Sequence, residues 1–150
     1  MHTSAIHNAS SDNYPEITAV WEASVRATHH FLTEADIQFY KPLVLNEYLK
    51  SVTLYYIKGA NNDIQGFIGI AADKIEMLFI HPDARGKGLG KLLLQYAVKE
   101  AAAFKVDVNE ENEQAVAFYE HMGFVVVSRS PLDGSGKPHP ILSMELNIPQ

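Results

Sequence analysis

Apolar residues recur along this chain with two periods, and each change of period marks an element. From Asp12 to about Thr28, Ile17, Val20, Trp21 and Val25 fall at helical spacing, with Asp12 or Asn13 in position to cap. Ser4 to Asn8 ahead of it reads as a short strand. A second helical segment spans Thr33 to Leu49, with Pro42 bending or dividing it. VTLYYIKG and DIQGFIGIAA then read as two strands around an Asn61-Asn62 turn, a hairpin signature. IEMLFI is a nearly continuous apolar strand. The run LGKLLLQYAVKEAAA returns to helical spacing, with Leu89, Leu92, Leu93, Tyr96 and Ala97 on one side. VDV follows as a short strand, and ENEQAVAFYEHMGF as a helix striped by Ala115, Phe118, Tyr119 and Met122. Gly123 sits where such a helix ends. FVVVS and ILSMEL are the last strands, either side of the turn-rich PLDGSGKPHP. Mixed strands with helices between some of them predict an α/β fold around one mixed sheet. No repeat or linker interrupts it, so residues 1–150 read as one domain.

Composition narrows the function classes. With 150 residues and 47% hydrophobic content, the chain has enough apolar surface for a core and is not a disordered segment. It has no cysteine, which excludes disulfides, thiolate metal sites and a Cys nucleophile. The histidines show no ligand spacing, so no metal is expected, and His81, His121 and His139 are assigned to surface or packing. No apolar run reaches the roughly 20 residues of a membrane span. The N-terminal stretch lacks a basic start and an apolar core, which makes cytoplasmic the default location. Net charge is −6, from 12 Lys and Arg against 18 Asp and Glu. Against that acidic background Arg85, Lys87 and Lys91 form a tight basic cluster. A small anionic ligand suits it better than a nucleic acid or a membrane surface.

That cluster lies in HPDARGKGLGKLLLQ, where Gly86, Gly88 and Gly90 alternate with longer residues before a helix. A helix N-terminus offers unpaired N–H groups and partial positive charge to phosphate, and glycines let a ligand approach the backbone. A flexible solvent-exposed turn is the plain alternative. Two phosphate motifs are excluded. A Walker A loop needs Ser or Thr after its Gly-Lys, but Leu92 follows Lys91. A dinucleotide fingerprint needs G-x-G-x-x-G, but Lys91 stands where the third glycine belongs.

Arg85-x-x-Gly88-x-Gly90, after an apolar strand and before an amphipathic helix, instead resembles the coenzyme loop of the GNAT superfamily of acetyl-CoA-dependent N-acetyltransferases. VNEENEQAVAFYEHMGF resembles that family's second block, Phe-Tyr-x-x-x-Gly-Phe on a helix behind an Asn. RATHHFL and GKPHPILSM resemble a narrower subgroup, the small bacterial YjaB-type enzymes. The implied fold is a mixed, mostly antiparallel sheet flanked by helices, splayed near residues 74–80 and 105–109 to admit acetyl-CoA. The resemblance implies that Arg85, Gly86 and the backbone of Lys87, Gly88, Leu89, Gly90 and Lys91 hold the pyrophosphate. It puts Leu78, Phe79 and Ile80 beside the pantetheine arm and acetyl carbonyl.

The same resemblance gives Tyr119 the role of proton donor to the leaving thiolate; its position on an apolar stripe also fits a plain core aromatic. Asn112 is implied as a coenzyme contact, and its position also suits a helix cap. Glu76 stands where many relatives carry a general base, although it also fits a water-facing residue of the sheet. Only about one free lysine-like amine in 2,500 is neutral at pH 7, so a base, a water path or a desolvating pocket is useful. Thr28, His29, His30 and Phe31 are implied to shape the acceptor pocket, with Asn109 orienting the junction or a water. The Asp133 to Pro140 loop is either an ordinary turn, a cover for the acceptor side or a dimer edge. The expected partner is a small-molecule or peptide amine, and the chain is expected to be a monomer or homodimer. Two rivals remain open, an acetylated-enzyme mechanism and a coenzyme-binding sensor without catalysis.

Overall fold

A computed structural model describes residues 6–28 and 32–147 of the chain. Its elements in chain order are β1 (Ile6–Asn8), α1 (Tyr14–Thr28), α2 (Glu34–Leu43), β2 (Thr53–Lys58) and β3 (Ile64–Ala71). They continue as β4 (Lys74–Ile80), α3 (Leu89–Ala101), β5 (Lys105–Asn109), α4 (Glu113–His121), β6 (Phe124–Ser130) and β7 (Ile141–Leu146). The seven strands form one sheet in the order β1-β2-β3-β4-β5-β7-β6, antiparallel except for β4 beside β5. A parallel neighbour needs a crossover, and α3 supplies it.

Local chemistry explains most boundaries, with two corrections. The expected cap at Asp12 or Asn13 gives way to a short 3-10 turn, Ser11–Asn13, entered at Ser10. The Ser10 backbone N–H donates to the Asn13 side chain at 2.9 Å. The predicted helix to Leu49 is divided after Pro42. Pro has no N–H to continue the ladder, and the chain passes through one π turn, Val44–Tyr48, and a 3-10 turn, Leu49–Ser51. Thr33 caps α2 by accepting from the Asp36 N–H at 3.1 Å. Gly123, at φ +97°, takes up the left-handed conformation just past α4 that favours glycine.

Two apolar layers sandwich the sheet. On one face α3 and α4 bury Leu93, Leu94, Ala97 and Tyr119 against Ile68, Ile75, Val106, Val108, Phe124 and Met144. On the other α1 and α2 bury Ile17, Trp21, Val25 and Ile37 against Leu54, Tyr56, Ile64 and Phe67. Strand side chains normally alternate between faces, yet Ile75 and Leu78, three apart, both pack toward α3. Pairing explains this: Gly69 faces Met77 and Ile70 faces Ile75, which leaves Glu76 as an extra residue in a β-bulge. Just there the parallel ladder stops. β4 and β5 pair only at Lys74 with Lys105 and Ile75 with Val106, and then diverge.

Thr18 is 2% exposed on α1, and its Oγ1 has no hydrogen-bond partner among the described residues. A buried hydroxyl left unpaired lowers stability. Thr18→Val, equal in shape, is therefore expected to stabilise the protein by about 1 kcal/mol in a urea titration; a clear loss would show that the hydroxyl is satisfied.

Candidate active site

The divergence of β4 from β5 opens a cleft of about 600 Å³, walled by both strands, the start of α3, one face of α4 and the end of α1. Each wall has a local cause. β4 past Ile75 keeps its ladder with β3 but has no partner on the β5 side. Leu78, Phe79 and Ile80 therefore line the cleft along an unzipped strand edge. Glu76, exposed, is turned out at the bulge and also lines it.

The glycine loop forms one end. Gly86 and Gly88 both have φ of +77°, and a Cβ on either would meet nothing within 4 Å. They bend the chain into α3 and leave its N-terminus open. Among the described residues, no hydrogen bond within the protein engages the backbone N–H groups of Gly86 or of Gly88 through Lys91, while Arg85 and Gly86 form a turn that Lys87 closes. Five donors thus meet the positive end of the helix dipole. Arg85 and Lys91 line the cleft, whereas Lys87 is exposed and not part of the lining. No ion pair among the described residues occupies Arg85, Lys87 or Lys91, although acidic side chains pair Arg26, Lys41, Lys74, Lys105 and Arg129 elsewhere. Unpaired cations beside unpaired N–H donors make a site for an anion.

Gly90 ties this loop to the second motif. A Cβ there would lie 3.6 Å from the Phe118 ring, so the first turn of α3 packs directly beside α4. Phe118, Tyr119 and Phe124 form an edge-to-face chain, with centroids 5.2 and 5.5 Å apart. Tyr119 is 6% exposed and lines the cleft. Burial alone pushes its hydroxyl above the ordinary phenol value. Asn112 caps α4 by accepting from the Ala115 N–H at 3.2 Å, and it also lines the cleft. Asn109 accepts from the Glu111 N–H at 2.8 Å, which turns β5 toward α4.

Thr28 lines the cleft from the end of α1; His29, His30 and Phe31 lie outside the described residues. Sequence reasoning passed over several wall residues. Ser24, Asp107, Gln114, Phe118 and His121 all line the cleft. Ser24 sits one turn before Thr28 on the same helix face, a signal that the spacing did contain. Asp107 is ion-paired with Lys74 across the last rung of the parallel ladder and accepts from the Ser143 hydroxyl at 2.9 Å. His121, assigned above to surface or packing, is an exposed part of the wall. His81 instead accepts from the Asp83 N–H and His139 contacts Glu111. Among the described residues no three His, Asp or Glu side chains group as metal ligands, and no helix is long and apolar enough to cross a membrane.

A sequence model of the acetyltransferase (GNAT) domain family matches residues 22–146. The chain belongs to the GNAT family. Within it the chain is YjaB-like. It is 39% identical over 129 residues to the peptidyl-lysine N-acetyltransferase YjaB of Salmonella typhimurium, covering 86% of this chain and 88% of that one. The solution structure of apo YjaB from Escherichia coli matches at 36% identity with a TM-score of 0.80, over 93% of this chain and 95% of that one. The PaiA N-acetyltransferase of Thermoplasma acidophilum, solved with coenzyme A, shares the fold at 24% identity. Its TM-score is 0.73, over 95% and 98% of the two chains. The GNAT family thus accounts for the split sheet and the glycine loop together.

In this GNAT domain the raised pKa of Tyr119 has a consequence for stability. The folded state keeps a proton that the unfolded chain loses near pH 10.0. The contribution is whole below that pH and is lost as pH rises toward the folded value. Between about pH 9 and about pH 11, Tyr119→Phe should therefore lose less melting temperature than the wild type. Equal losses would show that the hydroxyl is not shielded in the folded state.

Proposed function

We propose that this GNAT domain transfers the acetyl group of acetyl-CoA to a primary amine, by direct attack while both substrates are bound. The observation that carries this reading is the set of N–H donors at Gly86 and Gly88 through Lys91, unengaged among the described residues, in one cleft with the β4 edge that diverges from β5. That geometry matches the two ends of coenzyme A. The donors and the cations Arg85 and Lys91 would hold the pyrophosphate. The edge of β4 that diverges from β5, at Leu78 and Ile80, would pair with the amide-bearing pantetheine arm. The acetyl carbonyl would then lie along Leu78, Phe79 and Ile80, within reach of a backbone N–H that stabilises charge developing on its oxygen.

Two side chains supply the proton chemistry. Glu76, carried on the bulge, would take the proton of the attacking nitrogen. Tyr119 is protonated at neutral pH like any phenol, with burial disfavouring its phenolate further, and it would donate to the sulfur as the C–S bond breaks. No residue needs to become acetylated, in keeping with a chain that has no cysteine. Asn112 and Asn109 would hold the α4 entry in place, and Thr28 would face the acceptor. The acceptor we assign is a lysine side chain of a peptide. The names of the YjaB relatives support this, as does an acidic chain with Glu76 and Asp107 in the cleft wall.

The test is acetyl transfer to a panel of lysine peptides and small amines. Wild type should turn over peptides, while Glu76→Gln and Tyr119→Phe should each lose about 10²-fold in kcat. Coenzyme affinity should stay within about threefold, because neither change touches the phosphate end. Gly88→Ala should do the reverse. It forces a side chain into a left-handed backbone, costs about 1 kcal/mol of folding stability and weakens coenzyme binding at least about tenfold by projecting into the anion site. Tight coenzyme binding with no transfer to any amine would instead mark a coenzyme-binding sensor.

A further inference from the structure

Ser24 is 3% exposed, faces the cleft and lies on α1, which packs against β4. Its backbone carbonyl is engaged by the Thr28 hydroxyl, which donates at 2.8 Å. Its own hydroxyl has no hydrogen-bond partner among the described residues. Thr18 also has an unpaired hydroxyl, but that atom is sealed from solvent; the Ser24 oxygen is not among such sealed atoms and meets the cleft. An alanine would avoid the cost of an unpaired buried hydroxyl at this position. A serine hydroxyl that is not sealed off can complete its hydrogen bond with a group entering the cleft.

Glu76 indicates what enters. It lines the same cleft from the bulge of β4, the strand against which α1 lies. A primary amine carries more than one N–H, so it can donate to a hydroxyl oxygen and to a carboxylate together. We propose that Ser24 is an acceptor-contacting residue whose hydroxyl oxygen accepts a hydrogen bond from the attacking nitrogen. This rests on the acetyl-transfer reading above. As the C–N bond forms and the C–S bond breaks, the nitrogen's proton passes to Glu76 and the sulfur takes its proton from Tyr119. Ser24 keeps its own proton. It holds the nitrogen on the α1 side, so that the lone pair points at the carbonyl carbon.

Steady-state kinetics with acetyl-CoA and a lysine-containing peptide test the assignment. In Ser24→Ala the peptide KM should rise about five- to tenfold, the loss of one hydrogen bond. The KM for acetyl-CoA should not change, and Tm should be equal or higher. Ser24→Cys, similar in size but a poor acceptor, should follow alanine in peptide KM. Wild-type peptide KM in either variant overturns the assignment. So does a joint fall in Tm and acetyl-CoA affinity in Ser24→Ala, which is the signature of a packing role. A wild-type protein that acetylates no amine overturns the acetyl-transfer reading and this one with it, whereas an active wild type with unaffected variants overturns this one alone.

Discussion

Everything at the cleft depends on a parallel ladder that stops after two residue pairs. Lys74 with Lys105 and Ile75 with Val106 hold β4 and β5 together, and the Lys74–Asp107 ion pair closes the last rung. Beyond it the strands part, and among the described residues the ladder between β4 and β5 does not continue. A strand edge opened in this way can pair with a ligand. The bulge at Glu76 is part of the same event. One extra residue turns a carboxylate into the opening and shifts Leu78 and Ile80 onto the α3 layer.

The two helical walls follow from that gap. Because the crossover from β4 to β5 runs through α3, the N-terminus of α3 arrives at the mouth of the split. Gly86 and Gly88 bend the loop into α3 beside the opening, and Gly90 lets Phe118 of α4 come close. The glycine loop and the buried Tyr119 are thereby held in the wall of one cleft by direct packing. The far wall is α1, anchored by Ile17, Val20 and Trp21 in the second core, which presents Ser24 and Thr28. Two independent cores thus position the two sides of one site.

Much of this was legible in the sequence. Period-2 and period-3.6 patterns located the strands and α1, α3 and α4 to within a few positions, while α2 ends well before the expected Leu49. The order of the glycine loop and the Phe-Tyr-x-x-x-Gly-Phe block led to the fold. Three things were not legible, each for a physical reason. The bulge at Glu76 depends on the register between β3 and β4, which no single strand encodes. Ser24 was hidden because a serine on an apolar helix face looks like tolerated packing until an opposing strand is seen to leave space. The π turn after Pro42 depends on how the helix rejoins its ladder, where the sequence specifies only the interruption.

The central claim is that the unengaged N–H groups of the loop and the unzipped edge of β4 form one coenzyme site. Backbone amide chemical shifts of the labelled protein, followed by NMR during titration with coenzyme A, test this without any acceptor. The account predicts saturable shifts concentrated at Gly86 through Lys91 and at Leu78 through Ile80, with little change at β1 and β2. Saturable binding that leaves the loop amides unmoved, or that shifts residues away from the split between β4 and β5, would contradict it.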